Sequence, residues 1–85
     1  MATELEIFTK ATQDIKQVSE LDNEKMLNLY GYYKQATIGN CNIDKPNFWD
    51  LKGCAKWNAW NNNQNMDKQK AMKYYVKLVN KILSN

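Results

Sequence analysis

Tyr30, Tyr33, Lys34 and Thr37 stand at i, i+3, i+4 and i+7 within LYGYYKQATIG, the stretch Leu29–Gly39. On a helix that spacing puts them on one face. Aromatic rings beside an ammonium suit a ligand carrying both a flat ring and a phosphate. The ring stacks, the ammonium meets the anion, and a phenol hydroxyl donates to a phosphate oxygen. Tyr32 points elsewhere. Gly31 costs a helix about 1 kcal/mol relative to alanine, and in return lets a ligand or a second helix approach closely. The same tyrosines are equally consistent with half-buried core residues whose hydroxyls reach water. Spacing alone leaves both readings open.

A second cluster lies in DLKGCAKWNAW, Asp50–Trp60. Lys52, Lys56 and Trp60 form an i, i+4, i+8 row, again two cations beside a ring. Leu51, Ala55 and Ala59 form a parallel row of modest side chains on which another helix can pack. Trp57 is expected in the core. The competing reading of the lysine row is two solvated ammoniums above a packed indole. Two lysines on different helices could nevertheless converge on one polyphosphate.

Other chemistries lack their residues. There is no histidine, so the usual general base near neutral pH is missing. The two serines, Ser19 and Ser84, have no partner base. No glycine-rich phosphate loop is present, and the carboxylates are scattered rather than paired. These features point to a protein that is not an enzyme. Cys41 and Cys54 form no CxxC, and without histidine a zinc site is not expected. Both are read as free thiols in a reducing compartment. All 12 basic residues are lysines and the net charge is only +3. That balance, without the bidentate fork of arginine, argues against a nucleic-acid partner. No apolar run approaches the ~20 residues that span a bilayer. The N-terminus, MATELEIF, lacks a signal-peptide pattern. We therefore expect a cytoplasmic monomer without integral membrane association.

These groups must be positioned by helices, because glycine (3) and proline (1) are scarce. The 85 residues suit one domain, 1–85. The first helix is predicted over 3–18, with Phe8, Ala11, Ile15 and Val18 on its apolar face. The second covers 22–38, capped by Asp22 and ended by Gly39 in a left-handed conformation. A long loop, 40–49, holds the only proline, Pro46. The third helix covers 50–62 with Asp50 as cap. The fourth runs from its cap Asp67 to Leu83, burying Met72, Tyr75, Val79 and Ile82, with Leu78 at the edge. The pattern predicts an all-α four-helix bundle.

At the two clusters the sequence resembles the acyl-CoA-binding protein family. YKQATIGNCN, Tyr33–Asn42, matches the family's YKQAT-G-N signature. LKGCAKWNAW, Leu51–Trp60, preceded by Pro46, matches its FKGKAKWDAW signature, and AMKYYVKLV, Ala71–Val79, matches a third block. Phe8, Ile15 and Lys16 align after a one-residue shortening of the first loop. The resemblance implies an up-down-down-up bundle and noncatalytic binding of medium- and long-chain acyl-CoA esters, as a carrier and pool former without a cofactor. It further implies ligand contacts at Lys16, Tyr30, Gly31, Tyr32, Tyr33, Lys34, Lys56 and Tyr75. Lys34 and Lys56 would pair with the phosphates of the 3′-phospho-ADP moiety. Tyr33 and its phenolic neighbours would hold the adenine and ribose phosphate. Met26 and Leu27 would line the acyl-chain groove. The chain departs from the family in lacking the proline of the first loop and in carrying NFW after Pro46, where bulky Phe48 and Trp49 could line or shorten the groove. The alternative function is a helical protein-interaction module using the aromatic face.

Overall fold

Specific side chains set the helix ends. In the computed structural model, which describes residues 2–84, α1 spans Glu4–Asp14. Thr3 Oγ1 accepts from the Glu6 amide at 3.1 Å while Glu6 returns a carboxylate to the Thr3 amide, a reciprocal cap. The helix is shorter than the predicted 3–18, because its last turn, Ile15–Gln17, tightens into a 3₁₀ helix. α2 spans Asn23–Thr37, with Asp22 accepting from the Lys25 amide at 2.8 Å. α3 spans Leu51–Asn61, with Asp50 accepting from the Gly53 amide at 3.0 Å. α4 spans Lys68–Leu83. Asp67 precedes it as expected, but its carboxylate makes no capping bond.

The four helices form an all-α bundle with up-down-down-up topology. α4 packs on α1 and α2, whereas α3 packs on α2. The core joins Phe8 and Ala11 of α1, Leu29 and Ala36 of α2, and Ala71, Tyr75, Val79 and Ile82 of α4. Ala71, not Met72, begins the buried stripe of α4. The alanine is fully enclosed, and Met72 packs against the core from its edge. Burying these side chains supplies most of the bundle's stabilisation, since a helix of this length is marginal alone.

The parallel pair α2 and α3 requires a connection that travels back along the bundle, which explains the long segment between them. Gly39 starts it at φ 102°, a conformation that disfavours side chains. Its amide donates to the Lys34 carbonyl at 3.2 Å, and its own carbonyl accepts from Trp60 Nε1 at 2.7 Å. Gln35, almost fully buried, donates to Asn40 Oδ1 (3.1 Å) and to the Met66 carbonyl (2.8 Å). Asn40 Oδ1 also accepts from the Asn65 amide at 2.7 Å. One amide network thus ties the α2–α3 and α3–α4 connections together.

Of the two tryptophans of α3, Trp60 follows the packed-indole reading, whereas Trp57 is less enclosed than expected. Trp60 is the buried one, at 2% exposure, and Trp57 is half-buried, donating to the Ile43 carbonyl at 2.9 Å. The reason is helical drift. Steps of four residues advance about 400°, so an i, i+4, i+8 row rotates by about 80° over its length. Lys52 and Lys56 therefore face solvent while Trp60 turns inward. The same drift splits the row Leu51, Ala55, Ala59: Leu51 is 78% exposed, and the Ala59 carbonyl meets α2. Among the described residues, no helix is long and apolar enough to cross a membrane.

Candidate functional site

Because α3 packs on α2 alone, a groove of about 850 Å³ opens between the end of α1, α2 and α3. Volumes of about 300–1,000 Å³ are typical of small-molecule sites. Leu29 is its buried floor. Ile15, Val18 and Leu21 add apolar wall from the α1–α2 connection, and Met26 and Leu27 add wall from α2. Asp22 fixes the start of α2, so Met26 and Tyr30, four residues apart, fall on the same flank of the groove.

The groove lining also gathers cations and phenols from four elements. Lys16 comes from the 3₁₀ turn, Tyr30 and Tyr33 from α2, Lys52 and Lys56 from α3, and Tyr75 from α4. Lys56 Nζ lies 5.5 Å from the Tyr30 ring centroid, a cation–π approach that holds the ammonium over the groove. Among the described residues, none of these three lysines is ion-paired; the pairs formed are Lys10–Asp14, Lys25–Asp22 and Lys73–Glu4. Tyr33 stacks on Phe8 with centroids 5.9 Å apart, and Tyr75 meets Phe8 edge-on at 5.1 Å. Phe8 thereby fixes two rings that border the groove. Burial, and secondarily the neighbouring Tyr33 phenol, push the Tyr75 hydroxyl above its usual pKa. It remains a protonated donor throughout the physiological range.

Seven of the residues expected at the site come together here: Lys16, Met26, Leu27, Tyr30, Tyr33, Lys56 and Tyr75. Three lie elsewhere. Gly31 faces α3, where a Cβ would sit 2.4 Å from the Ala59 carbonyl oxygen, so its missing side chain lets the two helices approach. Tyr32 packs against the core and against Tyr74, centroids 5.6 Å apart. Lys34 is outside the groove lining, its ammonium 4.7 Å from the Trp60 ring centroid. Phe48 and Trp49 neither line nor shorten the groove; they are 83% and 68% exposed. Sequence reasoning missed Leu51 and Ala55, assigned above to helix packing. Lys52 belonged to the lysine row, and its i, i+4 relation to Lys56 was the available signal. Among the described residues, no cluster of three or more metal-ligating side chains is assembled.

A groove lined by apolar side chains together with lysines and phenols fits an amphiphile with a long chain and an anionic, ring-bearing head. The comparisons with known proteins agree with this geometry. Residues 5–79 match the family model described as acyl CoA binding protein. The chain is 43% identical to acyl-CoA-binding domain-containing protein 5 of Gallus gallus, over 99% of this chain and 18% of that protein. It is 46% identical to the acyl-CoA-binding domain-containing protein 6 homolog of Dictyostelium discoideum, over 81% of this chain and 24% of that protein. It therefore spans about a fifth to a quarter of the length of these relatives. Among solved structures, it superposes on acyl-CoA-binding protein 2 of Oryza sativa with a TM-score of 0.92, at 34% identity over 96% of this chain and 92% of that one. It superposes on the acyl CoA binding protein of Babesia bovis with a TM-score of 0.82, at 33% identity over 96% of both chains. Matched across nearly its whole length in sequence and in fold, the chain belongs to the acyl-CoA-binding protein family.

Proposed function

We propose that residues 1–85 act as one noncatalytic acyl-CoA-binding domain that takes medium- and long-chain esters, as a monomeric cytoplasmic carrier and pool former. The observation that supports this most is one groove lined both by apolar side chains, Met26 and Leu27 among them, and by the unpaired ammoniums of Lys16, Lys52 and Lys56. The acyl chain lies against the apolar side chains. The phosphates meet Lys56 and its neighbours, and the adenine lies among Tyr30, Tyr33 and Tyr75. Lys34 joins them by leaving the face of Trp60, a short swing for a four-carbon stem. Tyr75 donates from its protonated hydroxyl.

Magnitudes divide the work between the two ends. Each buried methylene contributes up to about 0.8 kcal/mol, so a 16-carbon chain offers on the order of 12 kcal/mol before the cost of ordering it. Lysine–phosphate pairs at an open rim are screened by salt and contribute far less each. Affinity thus comes mainly from the tail, and discrimination from the head. Isothermal titration with palmitoyl-CoA, CoA and palmitate in parallel tests this. The ester should bind tightly and both halves far more weakly. Rising salt should weaken the ester without unfolding the bundle. Palmitate binding as tightly as the ester would remove the headgroup from the account.

A further inference from the structure

Phe48 and Trp49 have no part in the groove, yet the fold holds them in a definite place. They occupy the middle of a turn closed by the Asp50 amide donating to the Asn47 carbonyl at 2.9 Å. The two rings meet edge-on with centroids 5.2 Å apart. Behind them, the Cys54 thiol lies 3.5 Å from the Pro46 carbonyl and 3.3 Å from that of Asn47, and Asp50 caps α3. The turn is thus anchored to a helix while its rings stand in solvent. The other two indoles, Trp57 and Trp60, each donate to a carbonyl and are at least half-buried. Leu51, 78% exposed, continues the patch and is itself part of the groove lining, and Ile43 is 55% exposed. The residue that follows the aromatic turn and its cap is thus a groove-lining one.

We propose that the turn Asn47–Asp50 is a docking wedge for an anionic lipid bilayer, and that it sets the mouth of the groove against the membrane surface. Paired phenylalanine and tryptophan side chains on a polar protein are suited to the headgroup boundary, where an apolar ring is buried at shallow depth. The charges around them favour an anionic surface. Lys45, Lys52 and Lys56 flank the turn, against Asp44 and Asp50, and the Asp50 carboxylate is engaged at the helix cap. Leu51, two residues after Trp49, is exposed and lines the groove, which links the turn to the groove along the chain. On the reading of the groove given above, a ligand whose chain resides in a bilayer would pass to Leu51 and then to the apolar wall without crossing open water.

The test is co-sedimentation of the 85-residue chain with phosphatidylcholine vesicles, with and without phosphatidylserine and without acyl-CoA, alongside palmitoyl-CoA titration of the same proteins in the absence of vesicles. The wild type should pellet with anionic vesicles and less with neutral ones. Phe48→Ala/Trp49→Ala should lower partitioning at least about tenfold, because the buried apolar area is lost. It should keep its palmitoyl-CoA affinity, since neither ring lines the groove. Lys45→Glu should weaken anionic binding about fivefold or more. Wild type remaining in the supernatant, or the double variant pelleting equally well, would overturn the proposal and leave the turn to a protein partner. Vesicle binding by a chain that does not bind palmitoyl-CoA would refute the groove's assignment while supporting the wedge.

Discussion

Tyr30 and Gly31 are neighbours in sequence but belong to two different surfaces of α2. One surface, carrying Met26, Leu27, Tyr30 and Tyr33, borders the groove, and its charged partner Lys56 is unpaired. The other, carrying Gly31 and Gln35, is closed against α3 and the loop network: Gly31 sits on the Ala59 carbonyl, and Gln35 donates to Asn40 and Met66. The closed surface gives α2 a fixed axial position. The open surface keeps polar groups free for a ligand. A short helix can thus be rigid and receptive together, because the two requirements fall on faces about 100° apart per residue.

Substitutions on the two surfaces should therefore separate stability from binding. The largest effect is expected at Trp60, which closes the α2–α3 side. Trp60→Ala leaves a cavity and an unpaired Gly39 carbonyl, and should cost about 3–5 kcal/mol in urea unfolding. On the groove side, Lys56→Ala should weaken palmitoyl-CoA binding by about 1.5–3 kcal/mol, while the unfolding free energy changes by less than about 0.5 kcal/mol. Lys34→Ala should lose less affinity than Lys56→Ala, because Lys34 must leave Trp60 to reach a phosphate. Equal losses at both positions would place the phosphates closer to Lys34, at the C-terminal end of α2, than the groove suggests.

Gly31→Ala comes next. Overpacking costs about 1–3 kcal/mol, and the neighbour is a backbone carbonyl that cannot rotate away. Alanine's better helix propensity offsets about 1 kcal/mol of this. The net loss in urea unfolding should be up to about 2 kcal/mol. A stabilised variant would show that α2 and α3 can separate freely. The smallest effect concerns pH. Burial of Tyr75 raises its folded-state pKa above the ordinary 10.0. The unfolded chain then ionises this phenol first, so its contribution is fully present below pH 10.0 and is lost as pH rises through the folded value. Tyr75→Phe should show a shallower alkaline loss of stability than the wild type in unfolding curves measured across that window.

Much of this was legible in the sequence, and the failures have a common cause. Helix starts at Asp22 and Asp50, and the stop at Gly39, follow from side-chain chemistry acting within a few residues. The clustering of Tyr30, Tyr33 and Lys56 followed from helical spacing together with family motifs. Assignments that required knowing which neighbour a face meets were less secure. Trp57 was expected in the core but is only half-buried, while the drift of a four-residue row turns Trp60 inward, as one of its two readings had it. Gly31 was read as admitting a ligand or a helix, and nothing local reveals that the neighbour is the Ala59 carbonyl. Phe48 and Trp49 were read as residues whose bulk could line or shorten the groove, yet the turn that holds them faces solvent.

The most direct test of the central claim, that the open surface of α2 binds the ligand and the closed one does not, is a map of backbone amide shifts by ¹⁵N NMR on titration with palmitoyl-CoA. The account predicts the largest changes at Lys16, Met26, Leu27, Tyr30, Tyr33, Lys52 and Lys56, with Tyr32, Asn65 and Met66 nearly unmoved. Changes centred on Tyr32, Tyr74 and the Asn40–Asn65 network, with the groove residues silent, would contradict it.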